Sequence, residues 1–183
     1  MAATETPACD FGHPAPVFAL PDPAGRIWRL EDCRGENGTL VMFICNYCPF
    51  VKAILDRLVR DAAELAGEGV RSVAIMSNDV ASYPADSPEN MARLANERGF
   101  SFPYLYDADQ SIARAYGAVC TPDFFGYDAD LRLRYRGRLD ASRMEPAPAG
   151  ARRELFEAMC AVAKTGHGPA EQTPSIGCSI KWR

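Results

Sequence analysis

Two of the seven cysteines in this 183-residue chain are spaced to do chemistry together: Cys45-Asn46-Tyr47-Cys48. The apolar run Thr39-Leu-Val-Met-Phe-Ile44 precedes the pair, and Pro49 to Ala66 repeats apolar residues at helical spacing after it. A C-x-x-C at such a strand-to-helix turn reads as a dithiol–disulfide site. A sulfur at a helix N-terminus meets unpaired backbone N–H groups and the positive end of the helix dipole. Both favour the thiolate, the form that attacks disulfides, and the second sulfur can then close a local bridge. Pro49 suits this placement, because a proline in the first helical turn gives up an N–H that has no intrahelical partner.

Thr121-Pro122 is the second element with chemical meaning, at the entrance of the strand Asp123-Phe-Phe125. A cis bond there turns backbone polar groups toward an extended substrate strand, although most X–Pro bonds are trans and prolines commonly open strands. Cys120 then lies beside the site, as a further thiol or as a small buried residue. The third element is the tail Ser175-Ile-Gly-Cys-Ser-Ile-Lys-Trp182. Ile176, Cys178, Ile180 and Trp182 alternate with polar or small residues, so the segment is expected to dock extended with those four covered. Cys178 is either a third redox thiol or inert filling. Cys9, Cys33 and Cys160 read as structural or incidental.

A competing reading makes Cys45, Cys48, Cys120 and Cys178 soft ligands of a metal-binding or thiol-sensor module. A four-ligand zinc site usually needs a second closely spaced pair, which the sequence lacks, and His13 and His167 fall in loop-like segments. No metal site is expected.

These groups need elements to hold them. Val17–Leu20 and Ile27–Leu30 flank the turn Pro21-Asp-Pro-Ala-Gly25 and read as a β-hairpin. Thr39–Ile44 has the unbroken apolar character of a strand covered on both faces. In the following helix Val51, Ile54, Leu55, Leu58, Ala62 and Leu65 form the inner face, and Gly67 is placed to end it. Val70–Met76 reads as a strand. A helix starts at Asp86-Ser-Pro-Glu89, buries Met91, Leu94 and Ala95, and stops at Gly99. Phe102–Tyr106 is a strand, Gln110–Tyr116 a short helix, and Asp123–Tyr127 with Leu131–Arg136 a hairpin. Arg132, Arg134 and Arg136 are expected on its wet face. Ala151–Thr165 is the last helix, and the sum is an α/β fold on a mixed sheet. One domain, 1–183, is expected, with 1–16 a loose arm and 166–183 an extended tail.

Composition is that of an ordinary globular chain, 48% hydrophobic and 24% charged, with net charge −4 and pI near 5.2. Such a balance gives no reason to expect nucleic acid or an anionic membrane as partner. No apolar stretch approaches the roughly 18–20 residues that cross a bilayer. The first 13 residues hold no Lys or Arg and no apolar block, which leads to a cytoplasmic expectation.

Taken together, Val41-Met-Phe-Ile-Cys-Asn-Tyr-Cys-Pro-Phe-Val51, Phe102-Pro-Tyr-Leu105, Cys120-Thr-Pro-Asp-Phe-Phe125, Tyr135-Arg-Gly-Arg-Leu-Asp140 and Pro174 to Trp182 resemble the peroxiredoxin-like (AhpC/TSA-type) thioredoxin-family proteins. The resemblance spans about Gly12 to Trp182. It implies a thioredoxin-like fold with an N-terminal hairpin extension, a cis-proline at Pro122, and thiol–disulfide or antioxidant activity. It also implies that Cys45 is the more exposed, attacking thiol and Cys48 the resolving one, with Thr121 and Pro122 holding the substrate backbone. A protein or small-molecule disulfide is the implied substrate, thioredoxin or glutathione the reductant, and no organic cofactor is required. The enzymatic alternative is a thiol peroxidase with Cys48 attacking peroxide and Cys45 or Cys178 resolving. Tyr47 stands where the branch often has His. Thr39 stands where thioredoxins carry a buried acid, which leaves the proton acceptor unassigned. Cys45 and Pro122 stand where true peroxiredoxins carry Thr and Arg.

Overall fold

The computed structural model describes residues 3–7 and 9–183. Its centre is a five-stranded mixed sheet. The strands are β4 (Gly38–Phe43), β5 (Val70–Met76), β6 (Tyr104–Tyr106), β8 (Asp123–Asp128) and β9 (Leu133–Tyr135), in the spatial order β6-β5-β4-β8-β9. β5 runs parallel to both β4 and β6, whereas β8 is antiparallel to β4 and β9. All six residues of β4 are buried, as its continuous apolar sequence requires. Period-two alternation divides them. Leu40 and Met42 enter the core beneath α2 (Pro49–Gly67) and α5 (Glu154–Thr165), while Val41 and Phe43 enter the core on the opposite face.

The apolar face of α2 is the one its spacing predicts: Val51, Ile54, Leu55, Leu58, Ala62 and Leu65 are all buried. Each large member contributes about 1.5–3 kcal/mol by leaving water. Gly126 on β8 lets α5 approach, since a Cβ there would sit 2.3 Å from Met159 Sδ. Helix α3 (Pro88–Arg98) begins with Ser87 as its N-cap, whose side chain accepts from Asn90 N–H at 3.4 Å, and ends at left-handed Gly99. Helix α4 (Ser111–Tyr116) and the hairpin β2 (Ala19–Pro21) with β3 (Ile27–Arg29) lie where the sequence predicts them. A short α1 (Leu30–Cys33) follows β3 directly.

Four expectations are corrected. Gly67 is helical, and the left-handed residue after α2 is Gly69, at φ 77°. The segment expected as a loose arm carries β1 (Ala3–Glu5), and hydrogen bonds from Gly12 and Ala15 tie it to Leu133 and Leu131. Arg136 is buried, not wet, because Asp123 pairs with it at 3.1 Å. Trp182 is 38% exposed, its ring stacked beneath the Arg114 guanidinium at 4.3 Å.

A second sheet, β1-β10-β7, joins the two ends of the chain, with β7 at Cys120–Thr121 and β10 at Ile176–Ser179. Both pairings are antiparallel, and Cys178 lies opposite Ala3 on one side and Thr121 on the other. Gly177 makes the second pairing feasible: a Cβ there would meet Thr121 O at 2.1 Å and Pro122 N at 3.0 Å.

Candidate functional site

Cys45 follows the C-terminal end of β4, and Cys48 is the N-cap residue of α2, with Pro49 at the first helical position. The Thr121–Pro122 bond is cis and faces them. The Cys45 Sγ lies 3.4 Å from Thr121 Oγ1, and the Cys48 Sγ lies 3.0 Å from the Thr121 carbonyl oxygen. The docked tail brings the Cys178 Sγ to 2.9 Å from the Cys48 Sγ. Cys45, Cys48, Thr121, Pro122 and Cys178 therefore gather at one place. The Cys120 thiol donates to the Pro122 carbonyl at 3.5 Å, and burial pushes its pKa up.

Neither sulfur of the pair is the more exposed one, as Cys45 and Cys48 are 3% and 2% accessible. They line a small cavity of about 40 Å3 with Cys178, Asn78, Asp86, Lys181 and two exposed aromatic rings, Tyr47 and Tyr83.

The proton belongs on Cys45. Its pKa is held well above the ordinary thiol value by its hydrogen bond to Cys48, then by burial and the Asp86 charge; the Thr121 hydroxyl works the other way. Cys48 is pulled down to about 5, foremost by the hydrogen bond from Cys45, against burial, with further help from the Cys178 thiol and the backbone N–H groups of Val51 and Cys178. When protonated, the Cys48 thiol donates to the Thr121 carbonyl. The helix dipole favours its thiolate. Burial and the neighbouring Cys48 charge push Cys178 up to about 12, against the Lys181 cation. The arrangement sets one acidic sulfur, Cys48, between two thiols that hold their protons, Cys45 and Cys178.

Three supporting residues escape a sequence reading. Asp86 accepts from Asn46 N–H and from Asn78 Nδ2, both at 2.8 Å, so it fixes the turn between the cysteines. Asn78 in turn accepts from Lys181 N–H at 3.0 Å and anchors the tail. Gln110 donates to the Lys181 carbonyl at 2.8 Å. Asp86 reads in sequence as part of a helix start, and only the fold shows that its carboxylate faces the cysteine turn. Among the described residues, no group of three or more His, Cys, Asp or Glu is arranged to hold a metal ion. No helix is long and apolar enough to cross a membrane among the described residues.

The AhpC/TSA family matches residues 11–136, and the chain belongs to that family. Its architecture is thioredoxin-like. The crystal structure of a conserved protein from Geobacillus kaustophilus superposes with a TM-score of 0.94 at 48% identity, covering 100% of this chain and 97% of that one. A Mycobacterium tuberculosis protein provisionally named a peroxiredoxin is 27% identical over 123 residues, covering 67% of this chain and 73% of the relative. The thiol-disulfide oxidoreductase ResA of Geobacillus thermodenitrificans is 26% identical over 131 residues, covering 72% of this chain and 71% of the relative. The chain is thus a thioredoxin-family redox protein at the level of its family.

Proposed function

We propose that the protein is a thiol–disulfide oxidoreductase whose working couple is Cys45–Cys48, with Cys48 as the attacking sulfur. The observation that carries this reading is the placement of the Cys48 Sγ at the N-cap of α2, beside the cis Thr121–Pro122 bond and 2.9 Å from the Cys178 Sγ. The thiolate attacks one sulfur of a substrate disulfide, forming a mixed disulfide and expelling the other sulfur as thiolate. That step consumes the charge that kept the Cys45 proton in place. Cys45 then ionises more easily, attacks the Cys48 Sγ, and releases the second substrate thiol, leaving a Cys45–Cys48 bridge. A dithiol such as thioredoxin, or glutathione, returns the two electrons. The roles are the reverse of those the resemblance implies, because the acidifying contacts fall on Cys48.

The backbone of Thr121 and Pro122, reserved by the sequence reading for a substrate strand, is engaged by the tail: Thr121 pairs with Cys178, and the Pro122 carbonyl accepts from Ser175 Oγ at 2.8 Å. A substrate therefore approaches over Tyr47 and Tyr83, which favours a small or exposed disulfide. The test is trapping with oxidised glutathione. The double variant Cys45→Ser, Cys178→Ser should accumulate a mixed disulfide on Cys48, and Cys48→Ser should accumulate little. Trapping mainly on Cys45 would reverse the roles, and trapping on neither would end the proposal.

A second reading is supported by the cavity at Cys48, whose volume of about 40 Å3 matches a molecule the size of peroxide better than a peptide. In it the Cys48 thiolate takes an oxygen from peroxide as sulfenic acid, and Cys45 or Cys178 condenses with it, releasing water. Stopped-flow oxidation no faster than that of free cysteine would remove it.

A further inference from the structure

We propose that Cys178 is a third redox residue that shares Cys48 with Cys45, so that the chain can move its disulfide from Cys45–Cys48 to Cys48–Cys178. This rests on the dithiol reading above and adds a second exit for its electrons.

Several features place the tail for this exchange. The Cys178 Sγ is 2.9 Å from the Cys48 Sγ, about 0.9 Å longer than a disulfide bond. The strand that carries it is held on both edges, by Ala3–Glu5 and by Cys120–Thr121, so the sulfur is delivered by backbone pairing rather than by chance of a rotamer. Gly177 lets that strand lie against Thr121 and Pro122 where any side chain would collide with backbone. Beyond β10, Asn78 and Gln110 grip the backbone of Lys181, and Arg183 N–H donates to Gln110 Oε1 at 3.0 Å. The hold therefore extends to Arg183.

The exchange balances without an added reagent. The Cys178 thiol loses its proton, its sulfur attacks the Cys48 Sγ, and the Cys45–Cys48 bond breaks with its electron pair on Cys45. Cys45 takes up the proton. No net oxidation occurs, one bridge replaces another, and Cys45 is free again. Lys181, whose ammonium donates to the Ser179 carbonyl at 2.9 Å, supplies a cation at the cavity for the ionising Cys178. Once Cys48 is bridged, its negative charge no longer opposes that ionisation.

Tryptic mapping tests this on the full chain. Cleavage after Arg34, Lys52, Lys164 and Lys181 puts Cys45 and Cys48 together in one peptide and Cys178 in another. A Cys45–Cys48 bridge leaves the first peptide lighter by two hydrogens, whereas Cys48–Cys178 joins the two peptides. The wild type and the variants Cys45→Ser and Cys178→Ser are oxidised with oxidised dithiothreitol, alkylated and digested. The relay predicts the joined peptide as the main product from Cys45→Ser and its complete loss in Cys178→Ser, which keeps the looped peptide. In Cys45→Ser, full alkylation of Cys178 beside a Cys48 left unpaired would overturn the relay. Absence of the looped peptide from Cys178→Ser would instead overturn the Cys45–Cys48 reading. Both serine variants are close in size to cysteine, and their melting curves establish that each folds.

Discussion

Replacing Cys178 by alanine removes one donor from the Cys48 sulfur and leaves the backbone pairing of β10 in place. A hydrogen bond to a charged group contributes about 1.5–3 kcal/mol, and a thiol is a weak donor, which puts this one near the lower bound. With about 1.36 kcal/mol per pKa unit, the loss raises Cys48 by about one unit, from about 5 to roughly 6. At pH near 5 the thiolate fraction then falls from about one half to about one tenth. The assay is the rate of iodoacetamide labelling of reduced protein against pH, read at Cys48 by peptide fragmentation. Cys178→Ser serves as control, since its hydroxyl can still donate and should hold the titration near the wild-type value. If Cys178→Ala titrates with the wild type, the Cys178 thiol does not stabilise the Cys48 charge. A serine variant shifted as far as the alanine would show that packing, not donation, sets the acidity.

Three other outcomes follow from the same geometry. Gly177→Ala should lift β10 from β7, because the new Cβ meets backbone and not a flexible side chain; a loss of about 1–3 kcal/mol in urea unfolding, with slower labelling of Cys48 near pH 5, is expected. Asp123→Ala leaves the Arg136 guanidinium buried and unpaired, and should cost about 3–5 kcal/mol; an unchanged midpoint would show that the Gly117 carbonyl, which also accepts from Arg136 at 2.7 Å, suffices. The pH dependence of the reduced protein should follow Cys48. A folded-state pKa depressed to about 5 contributes stability that is complete above the unfolded thiol value and is lost as pH falls through about 5. Reduced minus oxidised melting temperature should accordingly rise between pH 5 and about 8, and a flat or falling difference would contradict the assignment.

Much of the fold is legible in the sequence because its signals are local. Thr39–Ile44 and Val70–Met76 announce buried strands by composition, and the periodicity of Val51 to Leu65 announces the face of α2. The position of Cys45 and Cys48 between strand and helix is legible for the same reason. What is not legible is non-local. Nothing in Ala3–Glu5 advertises a strand, and it becomes one only because β10 offers an unpaired edge 170-odd residues away in the chain. Arg136 sits at an alternating position that reads as wet, yet Asp123, thirteen residues earlier, draws it into the interior. Trp182 shares the period of Cys178 and Ile180 but emerges beyond the end of β10, where Arg114 covers it in place of the core. Part of the acidity of Cys48 is likewise a product of tertiary contacts, since the Cys178 thiol reaches it only through the fold.

A glutathione redox titration of the wild-type chain, with every cysteine alkylated and mapped at each potential, identifies the working sulfur pair. One reversible two-electron transition is expected, in which Cys48 is always a partner, bridged to Cys45 or to Cys178, while Cys33 and Cys120 stay reduced throughout. A transition that spares Cys48, or the absence of any reversible intramolecular bridge, would contradict it.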